Sequence, residues 1–169
     1  MLVTTIPAYT QLYASPIGDI TITATAQGVT HVSFTTQVVT YSTASIQPNV
    51  HTMHCVAELE QYFAGTLTQF TTTIVPTGTA FQLQVWNQLV QVPYGHTITY
   101  GTQAIRYGNA KAIRATASAN GSNPIALLLP CHRVVGKSGK LTGYAGALWR
   151  KQWLLTHEAR YIGAELGLV

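Results

Sequence analysis

The chain has 169 residues, 47% of them hydrophobic and only 8% charged, enough for one ordinary domain or two small ones with a sizeable buried core. Its net charge of +4 is laid down unevenly: all nine Lys and Arg lie at or after Arg106, which leaves residues 1–105 at −3 and residues 106–169 at +7 and turns the C-terminal part toward a polyanion. Two cysteines exclude a disulfide framework, the uncharged start excludes a signal peptide, and no apolar run is long enough to span a membrane, so a reducing cytoplasm is the expected location.

Residues 9–14, 19–25 and 29–35 are rich in Thr, Val, Ile and Tyr and are parted by Ser15-Pro16-Ile17-Gly18 and Ala26-Gln27-Gly28, which predicts a small meander. A loop is expected over 36–50. The period then changes: Val56, Leu59, Tyr62 and Phe63 predict a helix over 50–64 with Glu58 and Glu60 outward and Gly65 as its stop. Residues 70–75 read as a short strand, and Pro76-Thr77-Gly78 as a boundary between domains 1–78 and 79–169.

A helix is predicted over 80–91, with Phe81, Val85, Trp86 and Leu89 on one face, ended by Pro93-Tyr94-Gly95. Two short helices follow near 100–107 and 110–119, split by Gly108-Asn109, with Asn109 offered as an N-cap. Short helices around a tight Gly turn form a candidate helix-turn-helix. Its second helix carries Lys111 and Arg114 among Ala112, Ala115, Ala117 and Ala119, small enough for close approach to a backbone or groove. Residues 125–129 read as a buried extended run into Pro130-Cys131-His132-Arg133-Val134-Val135. A turn over 136–139 and a last helix over 148–161 complete the pass, with no internal repeat.

A lone cysteine after an apolar run reads first as an inert core thiol. Here His132 and Arg133 bring positive charge to stabilise a thiolate, Pro130 fixes the backbone before it, and His157-Glu158 adds an imidazole and a carboxylate. Thiol, imidazole and carboxylate are the parts of an activated nucleophile.

The run Leu129-Pro130-Cys131-His132-Arg133-Val134-Val135 resembles the active-site signature of the O6-alkylguanine-DNA alkyltransferases, the methylated-DNA–protein-cysteine methyltransferases. The resemblance extends in order through Gly95-His96-Thr97-Ile98-Thr99-Tyr100-Gly101, Lys111-Ala112-Ile113-Arg114-Ala115, Ser122-Asn123-Pro124, Leu141-Thr142-Gly143-Tyr144-Ala145-Gly146 and Trp153-Leu154-Leu155-Thr156-His157-Glu158. It covers residues 80–163 without a gap; the first 75 residues resemble the family only as a small strand-plus-helix unit.

The resemblance implies an α+β fold, with a ribonuclease H-like N-terminal unit of sheet and helix. A mostly helical C-terminal unit would carry the helix-turn-helix and the active-site cysteine turn. It implies repair by stoichiometric, irreversible transfer of an alkyl group from O6-alkylguanine to Cys131, with O4-alkylthymine as a second candidate substrate. His132 would be the base, through a water, with Glu158 behind it, and Asn123 would tie the active-site turn. Tyr100 would hydrogen-bond the flipped guanine and assist flipping, and Arg114 would fill the emptied stack. Val134 and the Tyr144–Ala145 backbone would line the guanine pocket. Ala117 would permit close approach in the minor groove, with Lys111 near phosphates. The implied partner is double-stranded DNA read with little sequence specificity by a monomer, with no metal, cofactor or membrane.

One departure stands in the pocket loop: Ala147 follows Gly146 where the family usually has a second glycine, which bears on bulky adducts. Lys111, Lys137, Lys140, Arg150 and Lys151 are phosphate-contact candidates. The His51, His54, Cys55 cluster reads as an ordinary helix rather than a metal site, and Trp149 as packing at the pocket mouth. Three alternatives stand beside the resemblance. A non-catalytic alkyltransferase-like binder has the motif Cys replaced, and this chain keeps Cys131. A helix-turn-helix regulator would show a sequence-specific footprint. A cysteine hydrolase would need Cys131 and His132 as a direct pair, for which an extended segment is poor unless the backbone turns there.

Overall fold

A computed structural model describes residues 9–35 and 47–163. The fold is α+β, and the chain divides into two compact units, Met1–Pro76 and Thr77–Val169. Most of the loop expected over 36–50, residues 36–46, lies outside the described residues.

The N-terminal unit is an antiparallel meander, β1 (Tyr9–Ser15), β2 (Gly18–Ala24) and β3 (Val29–Phe34), in the order β1-β2-β3. Period-2 alternation puts Ile20, Ile22 and Ala24 of β2 and Val32 and Phe34 of β3 in the core, and a register shift at Thr23/Ala24 brings Val29 in with them. Gly28, at φ +155°, is needed where it stands: a β-carbon there would meet the Thr73 carbonyl at 2.7 Å. Helix α1 (Val50–Phe63) starts in a capping box, Asn49 accepting from the His51 and Thr52 amides while Thr52 accepts from the Asn49 amide. Its buried face is Thr52, Cys55, Glu58, Leu59 and Tyr62. Cys55 is wholly buried, and burial, then the charge of Glu58, push its thiol up to about 12. Among the described residues no group of three or more His, Cys, Asp or Glu is placed to hold a metal ion.

Glu58 corrects the expectation that it points outward. It is buried and accepts from the amide and hydroxyl of both Thr71 (2.7 and 2.6 Å) and Thr72 (2.9 and 2.7 Å). Burial pushes its carboxyl up, but these bonds outweigh it and hold the group below its ordinary value. The bonds pin an extended segment that makes a single parallel bridge, Val29 to Ile74, rather than the strand predicted over 70–75. Glu58→Ala is expected to destabilise this unit by about 2–3 kcal/mol, since hydrogen bonds to a charged group are lost and donors stay buried. Urea unfolding checks it, and the wild-type advantage should fade as pH falls below the ordinary Glu value near 4.3.

In the C-terminal unit, α2 (Ala80–Leu89) starts in a Thr79/Gln82 capping box and buries Val85, Trp86 and Leu89. Helices α3 (Tyr100–Arg106) and α4 (Ile113–Gly121) are joined by a turn. Buried polar bonds set their angle. Gln103 and Asn120 exchange side-chain amide bonds (2.7 and 3.4 Å), Gln103 also donates to the Val85 carbonyl, and Trp86 Nε1 donates to the Ala119 carbonyl at 2.8 Å. Helix α4 begins three residues later than predicted. Asn109 accepts from the Lys111 amide in a turn instead of capping the helix, so Lys111 and Ala112 precede α4.

Strands β4 (Ile98–Thr99) and β5 (Val134–Val135) pair in parallel, Ile98 with Val134 and Thr99 with Val135. This short pairing, which no local pattern announces, fixes Tyr100 at the head of α3 beside the exit from the cysteine turn. Helix α5 (Leu148–Ile162) follows Ala147, which is strained at φ +75°, and ends at Gly163 in the left-handed region. Gly95 lies so close to α5 that a β-carbon would sit 2.4 Å from Ile162 Cδ1. Among the described residues no helix is long and apolar enough to cross a membrane.

Candidate active site

Residues 125–129 are buried, as expected, but they are turned rather than extended: Leu129 N–H donates to the Ile125 carbonyl, and Leu127 sits at φ +72°. A leucine in the left-handed region persists only where its surroundings impose it. Asn123 is the clamp, its Oδ1 accepting from the Ile125 amide at 2.9 Å and its Nδ2 donating to the Leu129 carbonyl at 2.7 Å. The same Nδ2 lies 3.2 Å from Cys131 Sγ, so one amide side chain holds both the turn and the thiol.

Cys131–Arg133 forms a 3-10 turn, not an extended segment, with the Arg133 amide bonded to the Pro130 carbonyl. The expected opposition of Cys131 and His132 side chains therefore does not apply. Cys131 is 8% exposed. Burial pushes its thiol up; the Asn123 bond, the Lys151 charge and nearby amides pull the other way without prevailing. At rest the group is a thiol and needs a base.

His132 is wholly buried, with Nε2 2.8 Å from Glu158 Oε1. Glu158 is also buried and is held by Arg133 through Nε to Oε2 (2.9 Å) and Nη2 to Oε1 (3.0 Å), and by the Gly95 amide at 2.9 Å. Burial raises its carboxyl, but the charges and bonds of His132 and Arg133 prevail and hold it far below the usual carboxylate range. An ionised Glu158 fixes the proton of His132 on Nε2, leaving Nδ1, buried and without a hydrogen-bond partner, as the basic nitrogen. Burial pushes His132 down against the pull of Glu158, so the imidazole rests neutral. A neutral base stands next in sequence to a protonated thiol.

Two sequence expectations are corrected at this point. Arg133 does not serve the thiolate: its guanidinium is committed to Glu158 and to the Val92 carbonyl (2.7 Å). Of the pair His157-Glu158, only the carboxylate reaches His132; the His157 ring stacks on Trp153 at 4.9 Å and meets Tyr161 edge-on.

The charge near Cys131 comes from Lys151, assigned from sequence to phosphate contact but wholly buried here. Its Nζ donates to the carbonyls of Val134 (2.6 Å) and Thr142 (2.9 Å), and burial lowers it to about 8 against the opposing pull of Cys131. It ties β5 to the 142–145 segment. The signal was present in the sequence: Lys151 shares the buried face of α5 with Leu154, Leu155 and Glu158, at helical spacing.

A cavity of about 380 Å³ lies between α4 and the 142–145 segment. Tyr100, Ile113, Arg114, Ala117, Gly121, Thr142, Gly143, Tyr144 and Ala145 line it; of the residues the resemblance assigns to a guanine pocket, Tyr144 and Ala145 are among them. Val134 is not part of the lining; it is buried in the core with its carbonyl engaged by Lys151. Lys111 is exposed in the turn before α4 and does not line it either. Tyr100 Oη donates to the Thr142 carbonyl at 3.2 Å. The Tyr144 hydroxyl is buried without a hydrogen-bond partner. Burial chiefly raises both phenols, against the pull of the Thr142 bond on Tyr100, and a thiolate formed at Cys131 would raise each further, so both keep their protons.

Residues 80–160 match the family model "6-O-methylguanine DNA methyltransferase, DNA binding domain", and residues 8–76 match the "ribonuclease-like domain" model of the same proteins. Methylated-DNA–protein-cysteine methyltransferase of Methanosarcina acetivorans is 42% identical over 152 residues, covering 89% of this chain and 97% of its own. That of Mycolicibacterium paratuberculosis is 43% identical over 155 residues, covering 91% and 94%. The crystal structure of Mycobacterium tuberculosis O6-methylguanine methyltransferase superposes with a TM-score of 0.81 at 40% identity, over 91% of this chain and 94% of that one. Another crystal structure of the same protein, in complex with DNA, also gives 0.81. With both units matched and the cysteine turn intact, the chain belongs to the 6-O-methylguanine DNA methyltransferase family.

Proposed function

We propose that this protein repairs DNA directly, taking the alkyl group of O6-alkylguanine onto Cys131 in one irreversible step per molecule. The carrying observation is the pair Asn123–Cys131 adjoining in sequence the set His132–Glu158–Arg133: a held thiol, a neutral base of fixed tautomer and a buried carboxylate. Residues 79–169 bind DNA and accept the alkyl group; residues 1–78 form the ribonuclease-like unit.

The alkyl carbon is out of reach inside a duplex, so the nucleotide is extruded at a cost of a few kcal/mol. Arg114, exposed on α4, fills the gap, while Ala117 and its small neighbours let α4 lie close in the minor groove. The base enters against Tyr100, Tyr144 and Ala145. The Cys131 proton passes to His132 Nδ1 through a water. The sulfur pair then attacks the alkyl carbon, the C–O bond breaks, and its electrons leave with guanine. Tyr100, which keeps its proton at rest, supplies one to the departing base. The product is a thioether, and nothing in the site reverses it. Lys111 and the exposed Lys137 and Lys140 contact phosphates, which position without reading sequence. Affinity therefore falls steeply with salt and varies little with sequence. The protein acts as a monomer in the cytoplasm.

Titrating the protein against a duplex with one O6-methylguanine tests this reading. Lesions repaired should equal protein molecules added, and Cys131→Ala should repair none. Continued turnover, or repair by Cys131→Ala, would refute it.

A further inference from the structure

Ile113 opens α4 beside Arg114, lines the same cavity and is 44% exposed. A large apolar side chain left in water at the mouth of a cavity is not explained by the transfer chemistry. It stands near the head of α3: a β-carbon added on Gly101 would lie 4.0 Å from Ile113 Cδ1. A β-branched residue in a helix also keeps essentially one χ1 rotamer. Arg114 is long and flexible; Ile113 is short and stiffened by its β-branch. Lys111 and Arg114 flank it on the strongly basic half of the chain, which presents this apolar point to a polyanion.

We propose that Ile113 is a second wedge in the duplex. It enters at the base step next to the extruded nucleotide, so that Arg114 fills the vacated stack while Ile113 holds the neighbouring step apart. Apolar side chains inserted from the minor groove unstack base steps in this way. The inference rests on the base-extrusion reading above and names a further residue that sets its efficiency.

The test uses the full chain as wild type, Ile113→Ala, Ile113→Leu and Arg114→Ala. Single-turnover transfer from an O6-methylguanine duplex is measured, and extrusion is followed by 2-aminopurine fluorescence at the lesion position. Iodoacetamide modification of Cys131, which needs no extrusion, reports the integrity of the thiol. Ile113→Ala should slow duplex transfer about tenfold and diminish the fluorescence rise, while iodoacetamide reactivity stays unchanged and Ile113→Leu restores most of the rate. The slope of log affinity against log salt should be the wild-type one in Ile113→Ala and shallower in Arg114→Ala, because only the latter removes a cation. Unchanged transfer and fluorescence in Ile113→Ala would overturn the proposal, as would a parallel loss of iodoacetamide reactivity. A wild-type protein that neither extrudes nor repairs would instead overturn the reading beneath it.

Discussion

Glu158→Gln is expected to destabilise the C-terminal unit by about 3–5 kcal/mol, the cost of leaving one partner of a buried ion pair unmatched. Glu158 gathers two parts of the chain onto α5: the cysteine turn through His132 and Arg133, and the turn before β4 through the Gly95 amide. The substitution keeps the shape and removes the charge, so the Arg133 guanidinium stays buried without its counter-ion. It also removes the group that fixes the His132 tautomer, so transfer should slow even where the protein remains folded. The carboxyl is held far below its ordinary value, so its contribution is fully present above about pH 4.3, the unfolded value, and is lost as pH falls toward the depressed one. His132 adds in the same direction: pushed down by burial, it costs stability as pH falls below its ordinary value near 6.5. Denaturant unfolding of wild type and Glu158→Gln across this range should show the two curves converging in acid. Equal stability at neutral pH would contradict the assignment.

Lys151→Met should slow transfer about tenfold or more while changing stability far less. One unit of thiol pKa is worth about 1.4 kcal/mol, and Lys151 supplies a positive charge that lowers the thiol. The unbranched Met fills the lysine channel and removes a costly buried charge. That gain offsets much of the loss of the two bonds to Val134 and Thr142. The pH profile separates electrostatics from packing. Lys151 is held at about 8, so its charge disappears as pH rises through that value. The wild-type advantage in Cys131 alkylation should be full below about pH 7 and shrink above about pH 9. A constant ratio across that range would assign Lys151 a packing role alone.

Much of the fold was legible in the chain. The meander shows in the alternation of Ile20, Ile22 and Ala24 and of Val32 and Phe34, and α1, α2 and α5 in their periodic apolar residues. Those signals are local, and burial obeys them. What escaped is polar and buried. Glu58 and Lys151 occupy core faces but look like surface residues, because their partners, the Thr71–Thr72 segment and the Val134 and Thr142 carbonyls, lie far along the chain. The 125–129 run looked extended because leucine rarely enters the left-handed region. Only the Asn123 clamp makes Leu127 do so. Arg133 looked like the thiol's cation because it is near in sequence, whereas the 3-10 turn directs it to Glu158.

Within the site, Cys131, His132, Asn123, Tyr100, Arg114, Tyr144 and Glu158 are named by the resemblance; the structure brings Asn123 to Cys131 and His132 to Glu158, and sets Tyr100, Arg114 and Tyr144 around one cavity. The direction of each bond was not legible in the sequence. Adjacency of Cys131 and His132 says nothing about which ring nitrogen is basic; the ionised Glu158 on Nε2 decides it. Nor does sequence show that the thiol rests protonated, which follows from its depth of burial.

The proposed repair ends with the alkyl group on Cys131. The most direct measurement is the mass of the peptide containing Cys131 after mixing the protein with one equivalent of a duplex carrying a single O6-methylguanine. This peptide is expected to gain one methyl group on the sulfur, in step with loss of the lesion and to a limit of one per protein. A lesion that disappears while the Cys131 peptide keeps its mass would contradict it.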